Sequence, residues 1–243
     1  MGTAWTALTG EATEGWLAAQ VTGGRLVGAA DGTAAVRHVA TDSREARPGT
    51  LFVAKPGEVT DGHEHVGAAF AAGAVLALVE REVADAAGVT YPGVLVPDVV
   101  EAMGRLAAWV VAQLRADHEV KVIAVTGSVG KTTTKDLLRG IFAAEGPTVA
   151  PRGSYNGEVG VPLTVFEAEP DTRFLIIEMG ATRIGNIDYL CRMVRPDIGV
   201  VLCVGSAHAG EFDYIVVNDV FDRALDDPRV GRRLLDLAGE EQG

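Results

Sequence analysis

An apolar run from Val120 to Val125 passes directly into Thr126-Gly127-Ser128-Val129-Gly130-Lys131-Thr132-Thr133-Thr134, and no other stretch constrains the fold so tightly. Such a run is a strand of the kind buried on both faces in a parallel sheet. Parallel neighbours need a crossover, usually a helix, and the residues from Thr132 to Ala144 can supply it. Phe174 to Ile177 and Gly199 to Leu202 add two more buried strands. Strands alternating with helices predict a parallel α/β sheet.

The loop also carries chemistry. Gly127 and Gly130 allow tight turning and close approach of the backbone to a ligand. The successive N–H groups of Gly127, Ser128, Val129, Gly130, Lys131, Thr132 and Thr133, at a helix N-terminus, form a cradle for phosphate oxygens. Lys131 would neutralise the β- and γ-phosphates of a nucleotide, and the Thr132 hydroxyl would ligate Mg²⁺. The spacing departs from the usual phosphate-loop form, because Val125 stands where the first glycine is expected.

The front of the chain reads as a separate region. Arg25 to Val53 holds short strands and turns, with a strand from Leu51 to Ala54. A helix is predicted from Glu64 to Ala72, ended by Gly73, then strands over Val75–Val79 and Val94–Val96. Asp98 is placed as an N-cap, with Glu101 three residues on to complete a capping box. Val99, Met103, Leu106, Val110 and Leu114 follow at helical spacing as one apolar stripe. The polar Ala116-Asp117-His118-Glu119 marks a boundary, dividing the chain into residues 1–118 and 119–243.

Composition narrows the function classes. Of 243 residues, 48% are hydrophobic and only 6% aromatic, which suits α/β layers. The net charge of −12 repels nucleic acid and anionic membrane at long range. The Val94–Leu114 stretch is apolar, but Asp98, Glu101 and Arg105 argue against a membrane span. Cys191 and Cys203 show no metal or disulfide spacing, which fits core residues in a reducing cytoplasm, and no signal peptide is visible.

Several ordered motifs together resemble the Mur ligases. The loop from Thr126 to Lys135 is followed by Asn156-Gly157-Glu158-Val159-Gly160-Val161-Pro162-Leu163-Thr164, by Ile176-Ile177-Glu178-Met179-Gly180-Ala181, by Arg195-Pro196-Asp197-Ile198-Gly199-Val200 and by Ala207-His208. Thr41-Asp42-Ser43-Arg44, Pro48 to Ala54, Gly57-Glu58 and Asp61-Gly62-His63 look like the family's UDP-sugar-binding domain. The resemblance implies a small N-terminal α/β domain for the UDP substrate, then a parallel-sheet ATP-binding domain. It implies ATP-driven amide-bond formation through an acyl phosphate. Ser128 and Lys135 are most similar to the branch that joins D-alanyl-D-alanine to UDP-N-acetylmuramoyl-tripeptide.

By the same resemblance, Lys131 clamps phosphate, Thr132 and Glu178 hold one Mg²⁺, and His208 holds a second. Asn156 would reach the phosphates or the substrate carboxylate. Ser43, Arg44, Gly62 and His63 would bind the UDP part. Gly157 stands where a second asparagine is usual, and no lysine follows Lys135. The family's later metal-binding lysine, adenine-contacting segment and third domain have no counterpart here, so the resemblance implies weak or no ligase turnover for this chain alone. Asp213 to Leu225 looks instead like the C-terminal strand and helix of guanylate kinases. The alternatives are a non-catalytic nucleotide- or UDP-sugar-binding remnant, a Mur ligase adding another amino acid, and, last, a nucleoside monophosphate kinase.

Overall fold

The computed structural model describes residues 15–30, 34–57 and 60–202. Cys203, His208 and the Asp213–Leu225 segment lie outside them. The chain divides into two compact units, Met1–Glu119 with Val165–Asp171 and Val120–Thr164 with Thr172–Gly243.

In the first unit, helix α1 (Gly15–Thr22) leads into β1 (Arg25–Val27), β2 (His38–Ala40) and β3 (Thr50–Val53). Helix α2 (Val66–Ala71), β4 (Ala74–Val79), β5 (Gly93–Leu95) and α3 (Val99–Asp117) follow. The strands form one sheet in the order β1-β5-β4-β3-β2, parallel except where β1 runs against β5. All four residues of β3 are buried, as are five of the six in β4. Phe52, Ala54, Val66, Ala69, Ala77 and Val79 share one core cluster, with Phe70 and Tyr91 stacked at 4.8 Å on its margin.

The stripe read from sequence on α3 is the buried face: Val99, Met103, Leu106, Val110 and Leu114 are all at most 1% exposed. The Asp98 carboxylate accepts from the Val100 and Glu101 N–H groups at 2.8 and 2.9 Å. Glu101 turns to Arg105, one turn along, at 2.6 Å. The Val99 N–H is taken by Glu80, at the end of β4, at 3.0 Å. A distant carboxylate thus supplies a contact at the helix start where the sequence suggested only a local box. The Glu64–Ala72 helix is split into a 3₁₀ turn, Gly62–His65, and α2, because Asp61 accepts the His63 N–H and tightens the entry.

The second unit holds β6 (Lys121–Thr126), α4 (Lys131–Ala143), β7 (Thr148–Val149), α5 (Gly160–Val165), β8 (Phe174–Glu178), α6 (Asn186–Val194) and β9 (Ile198–Val201). Its sheet order is β7-β8-β6-β9, parallel throughout. From β6 the chain crosses to β7 on one side, and from β8 it crosses back to β9 on the other. Strand β6 therefore sits where the winding reverses, and the crevice beyond its carboxyl end is where open α/β sheets take ligands. Among the described residues no helix is long and apolar enough to cross a membrane.

Candidate functional site

The 127–132 loop leaves the end of β6. Val122 to Val125 are buried, and the Thr126 hydroxyl donates to the Met179 carbonyl at 2.9 Å, tying the ends of β6 and β8 together. Gly127 has φ +134°, and a Cβ there would lie 2.8 Å from the Leu202 side chain. Gly130 has φ +88° and is the N-cap of α4, with no side chain capping the helix. The first-turn amides of α4 therefore keep no side-chain acceptor at the cap, the condition for binding an anion. Val129, at the tip of the loop, is exposed.

Lys131 is half-buried beside the loop, and its Nζ donates to the Gly127 carbonyl at 2.6 Å. The Thr132 hydroxyl donates to Glu178 Oε2 at 3.0 Å. Asn156 Nδ2 donates to the other oxygen, Oε1, at 3.0 Å. Glu178 ends β8 opposite Val125 in register and is 1% exposed. A buried carboxylate needs such partners to remain tolerable. Gly180 leaves the space that Asn156 fills: a Cβ there would meet the Asn156 Cγ at 2.9 Å. The structure thus brings Lys131, Thr132, Asn156 and Glu178 together at one strand end. His208, the fifth residue of the expected set, lies outside the described residues.

Two side chains near this cluster were given no site role from the sequence, although Lys135 carried part of the family resemblance. Ser154 Oγ lies 3.5 Å from Thr132 Oγ1. Lys135, 2% exposed, binds the carbonyls of Pro151 and Gly153. Only the long-range return of the 150–156 segment to α4 brings either into place. Glu158 meanwhile accepts from Asn186 Nδ2 and Arg183, each at 2.9 Å, which ties the segment before α5 to the start of α6. Cys191 takes no part: burial pushes its thiol up to about 11, with the Asp188 charge adding to the rise.

In the first unit the expected substrate residues follow the carboxyl ends of β2 and β3. Ser43 and Arg44 form a 3₁₀ turn capped by Asp42. The Arg44 guanidinium is largely exposed and grips Asp42, whose carboxyl is held down to about 2 by those side-chain hydrogen bonds and by the Arg44 N–H. Gly62 packs on the main chain: a Cβ there would lie 2.6 Å from Lys55 N. His63 is 2% exposed, with both ring nitrogens engaged. Its Nε2 accepts from the Glu80 N–H at 2.9 Å, so Nδ1 carries the proton and donates to Asp61 at 2.6 Å. The His63 N–H, its ring and Arg81 together hold the Asp61 carboxyl far below the usual range. The imidazole therefore faces into the unit, and Arg44 faces solvent.

Comparison with known proteins gives the same picture on a larger scale. Residues 35–109 match the model of the Mur ligase family catalytic domain, and residues 125–216 that of the Mur ligase middle domain. The UDP-N-acetylmuramoyl-tripeptide--D-alanyl-D-alanine ligase of Mycobacterium tuberculosis is 44% identical over 213 residues, covering 80% of this chain and 42% of that protein. A crystal structure of MurF from Acinetobacter baumannii superposes with a TM-score of 0.71 at 34% identity, over 88% of this chain and 45% of the other. The MurF ligase of Thermotoga maritima in complex with ADP superposes with a TM-score of 0.60, also at 34% identity, over 71% and 39%. The chain thus spans less than half the length of these relatives. With two family domains matched in order and a phosphate loop and buried glutamate at the switch point of the second, the chain belongs to the Mur ligase family.

Proposed function

We propose that the second unit binds Mg-ATP and that the chain serves the ATP-dependent joining of D-alanyl-D-alanine to UDP-N-acetylmuramoyl-tripeptide. The observation that carries this is the Thr132–Glu178 pair, 3.0 Å apart at the mouth of an uncapped loop–helix junction. The names of the relatives supply the substrates, and the Thermotoga maritima complex supplies the nucleotide.

The donor set fits magnesium. A hydroxyl and a carboxylate are hard oxygen ligands, and Mg²⁺ commonly uses one or two protein oxygens with nucleotide phosphates completing its shell. Thr132 and Glu178 would hold it, and when bound it neutralises charge on the β- and γ-phosphates. The loop amides from Gly127 to Thr132 orient the phosphates, and Lys131 moves from the Gly127 carbonyl to a phosphate oxygen. Asn156 fixes the Glu178 carboxylate and, at the edge of the crevice, meets the incoming substrate. The tripeptide carboxylate attacks the γ-phosphorus, giving an acyl phosphate and ADP. The D-alanyl-D-alanine amine then attacks the acyl carbon, loses its proton and releases phosphate. Such transfer depends mainly on positioning and charge neutralisation.

The first unit takes the UDP part of the substrate. Ser43 and the exposed Arg44 reach the diphosphate, and Gly62 and His63 serve that site by fixing the neighbouring turn. Residues 1–118 and 119–243 then divide the work between UDP substrate and nucleotide.

Calorimetric titration with Mg-ATP tests the assignment. Lys131→Ala removes a charge-assisted contact worth about 1.5–3 kcal/mol, so affinity should fall at least about tenfold. A variant that binds Mg-ATP as tightly as the parent chain would overturn the reading.

A further inference from the structure

Lys135 is a buried ammonium one helical turn beyond Lys131, on the same side of α4, and the chemistry above leaves it unused. It is 2% exposed. Its Nζ donates to the Pro151 carbonyl at 3.0 Å and the Gly153 carbonyl at 3.3 Å, and it pairs with Asp136 Oδ1 at 2.8 Å. All three ammonium protons thus have acceptors, which a buried lysine requires. Two of the acceptors are main-chain carbonyls of one irregular segment between β7 and α5, so the contact fixes backbone rather than packing an apolar surface.

That segment then delivers side chains to the Thr132–Glu178 pair. Ser154 places its Oγ 3.5 Å from the Thr132 hydroxyl. Asn156 donates to Glu178 Oε1, and its carbonyl accepts the Gly180 N–H at 2.8 Å. Lys135 anchors the start of the segment and Asn156 its end.

We infer that Lys135 is a positioning residue, tying the 151–153 backbone to α4 so that Ser154 and Asn156 stay against Thr132 and Glu178. The inference rests on the nucleotide assignment and deepens it: the lysine acts on the cation part of the site, through the loop, and not on the phosphates directly. Outer contacts that orient metal ligands typically matter by about 10–100-fold in metal affinity.

The test compares the parent chain with Lys135→Met, which keeps an unbranched side chain and removes the donors. Amide exchange is followed without ligand, and ADP binding is measured by calorimetry across a Mg²⁺ series and in EDTA. In Lys135→Met, exchange over 152–156 should accelerate while β6 and β8 stay protected. The Mg²⁺ concentration for half-maximal ADP binding should rise at least about tenfold, with little change in EDTA. Asn156→Ala should add little to Lys135→Met, because both act through one loop. Asp136→Asn, at an exposed partner, should shift exchange and Mg²⁺ requirement in the same direction by a smaller factor, and it decides the matter if Lys135→Met does not fold. Unchanged exchange over 152–156, equal loss of ADP affinity with and without Mg²⁺, or full additivity with Asn156→Ala overturns the proposal. A parent chain that binds no ADP overturns the nucleotide assignment instead, and the exchange result then still decides whether Lys135 ties the loop.

Discussion

At Gly127 two demands meet that no other residue satisfies. Its φ of +134° lies where side chains are strained, and a Cβ would sit 2.8 Å from the Leu202 Cβ. Gly127→Ala should therefore destabilise the chain by about 1–3 kcal/mol and weaken Mg-ATP binding, since the displaced loop misaims its amides. Denaturant unfolding and calorimetry on the same variant measure both effects. Asp42 shows a different residue-scale effect. Arg44 holds its carboxyl down to about 2, below the ordinary 3.8, so the folded state favours the charged form. The resulting stabilisation is present above pH 4 and is lost as pH falls from about 4 to about 2. The contact is exposed, so its size is small. Thermal melts of the parent and Asp42→Asn should differ slightly near neutral pH and converge across that acid window.

Elements set what these residues can do. Helix α3 stands on a fully buried stripe and starts at Asp98, whose carboxylate takes two N–H groups of the first turn. Asp98→Ala should cost about 1 kcal/mol, read as a lower urea midpoint with an unchanged slope. Glu80 still holds the Val99 N–H in that variant, so the loss should stay near one cap contact and not unravel the turn. Helix α4 is built on the opposite plan. It opens on a left-handed glycine with no capping side chain, so its first amides remain available to a ligand. A helix whose end is finished by protein carboxylates is structural, whereas one left open beside Thr132 and the buried Glu178 suits an anion with its cation.

At the scale of the whole chain, the two units each place their candidate residues beyond the carboxyl ends of parallel strands. If the division of labour holds, two ligands should leave separate footprints. In amide exchange, Mg-ADP should protect 126–132, 154–156 and 178, and leave 43–45 and 61–65 unchanged. Uridine diphosphate should do the reverse. At about 100 times the dissociation constant, each ligand should add roughly 2.7 kcal/mol of protection to the unit that binds it. Protection of the same segments by both ligands would count against the division.

The sequence by itself determined the strand–loop–helix unit around Lys131, the buried stripe of α3, the parallel α/β class and the family. The first three rest on local periodicity, glycine chemistry and short-range spacing, which a linear string records directly, and the family rests on the resemblance of several ordered motifs. It also named Thr132, Asn156 and Glu178, which lie on three separate motifs, and the resemblance put Thr132 and Glu178 on one Mg²⁺. Tertiary structure alone decided that these three share two hydrogen bonds on one carboxylate, that Lys135 reaches back to the 151–153 backbone, and that His63 turns inward between Asp61 and Glu80. The reason is physical. Apart from the local His63–Asp61 bond, each of those contacts joins residues on different elements or loops, and its energy depends on burial and register that only the assembled sheet creates.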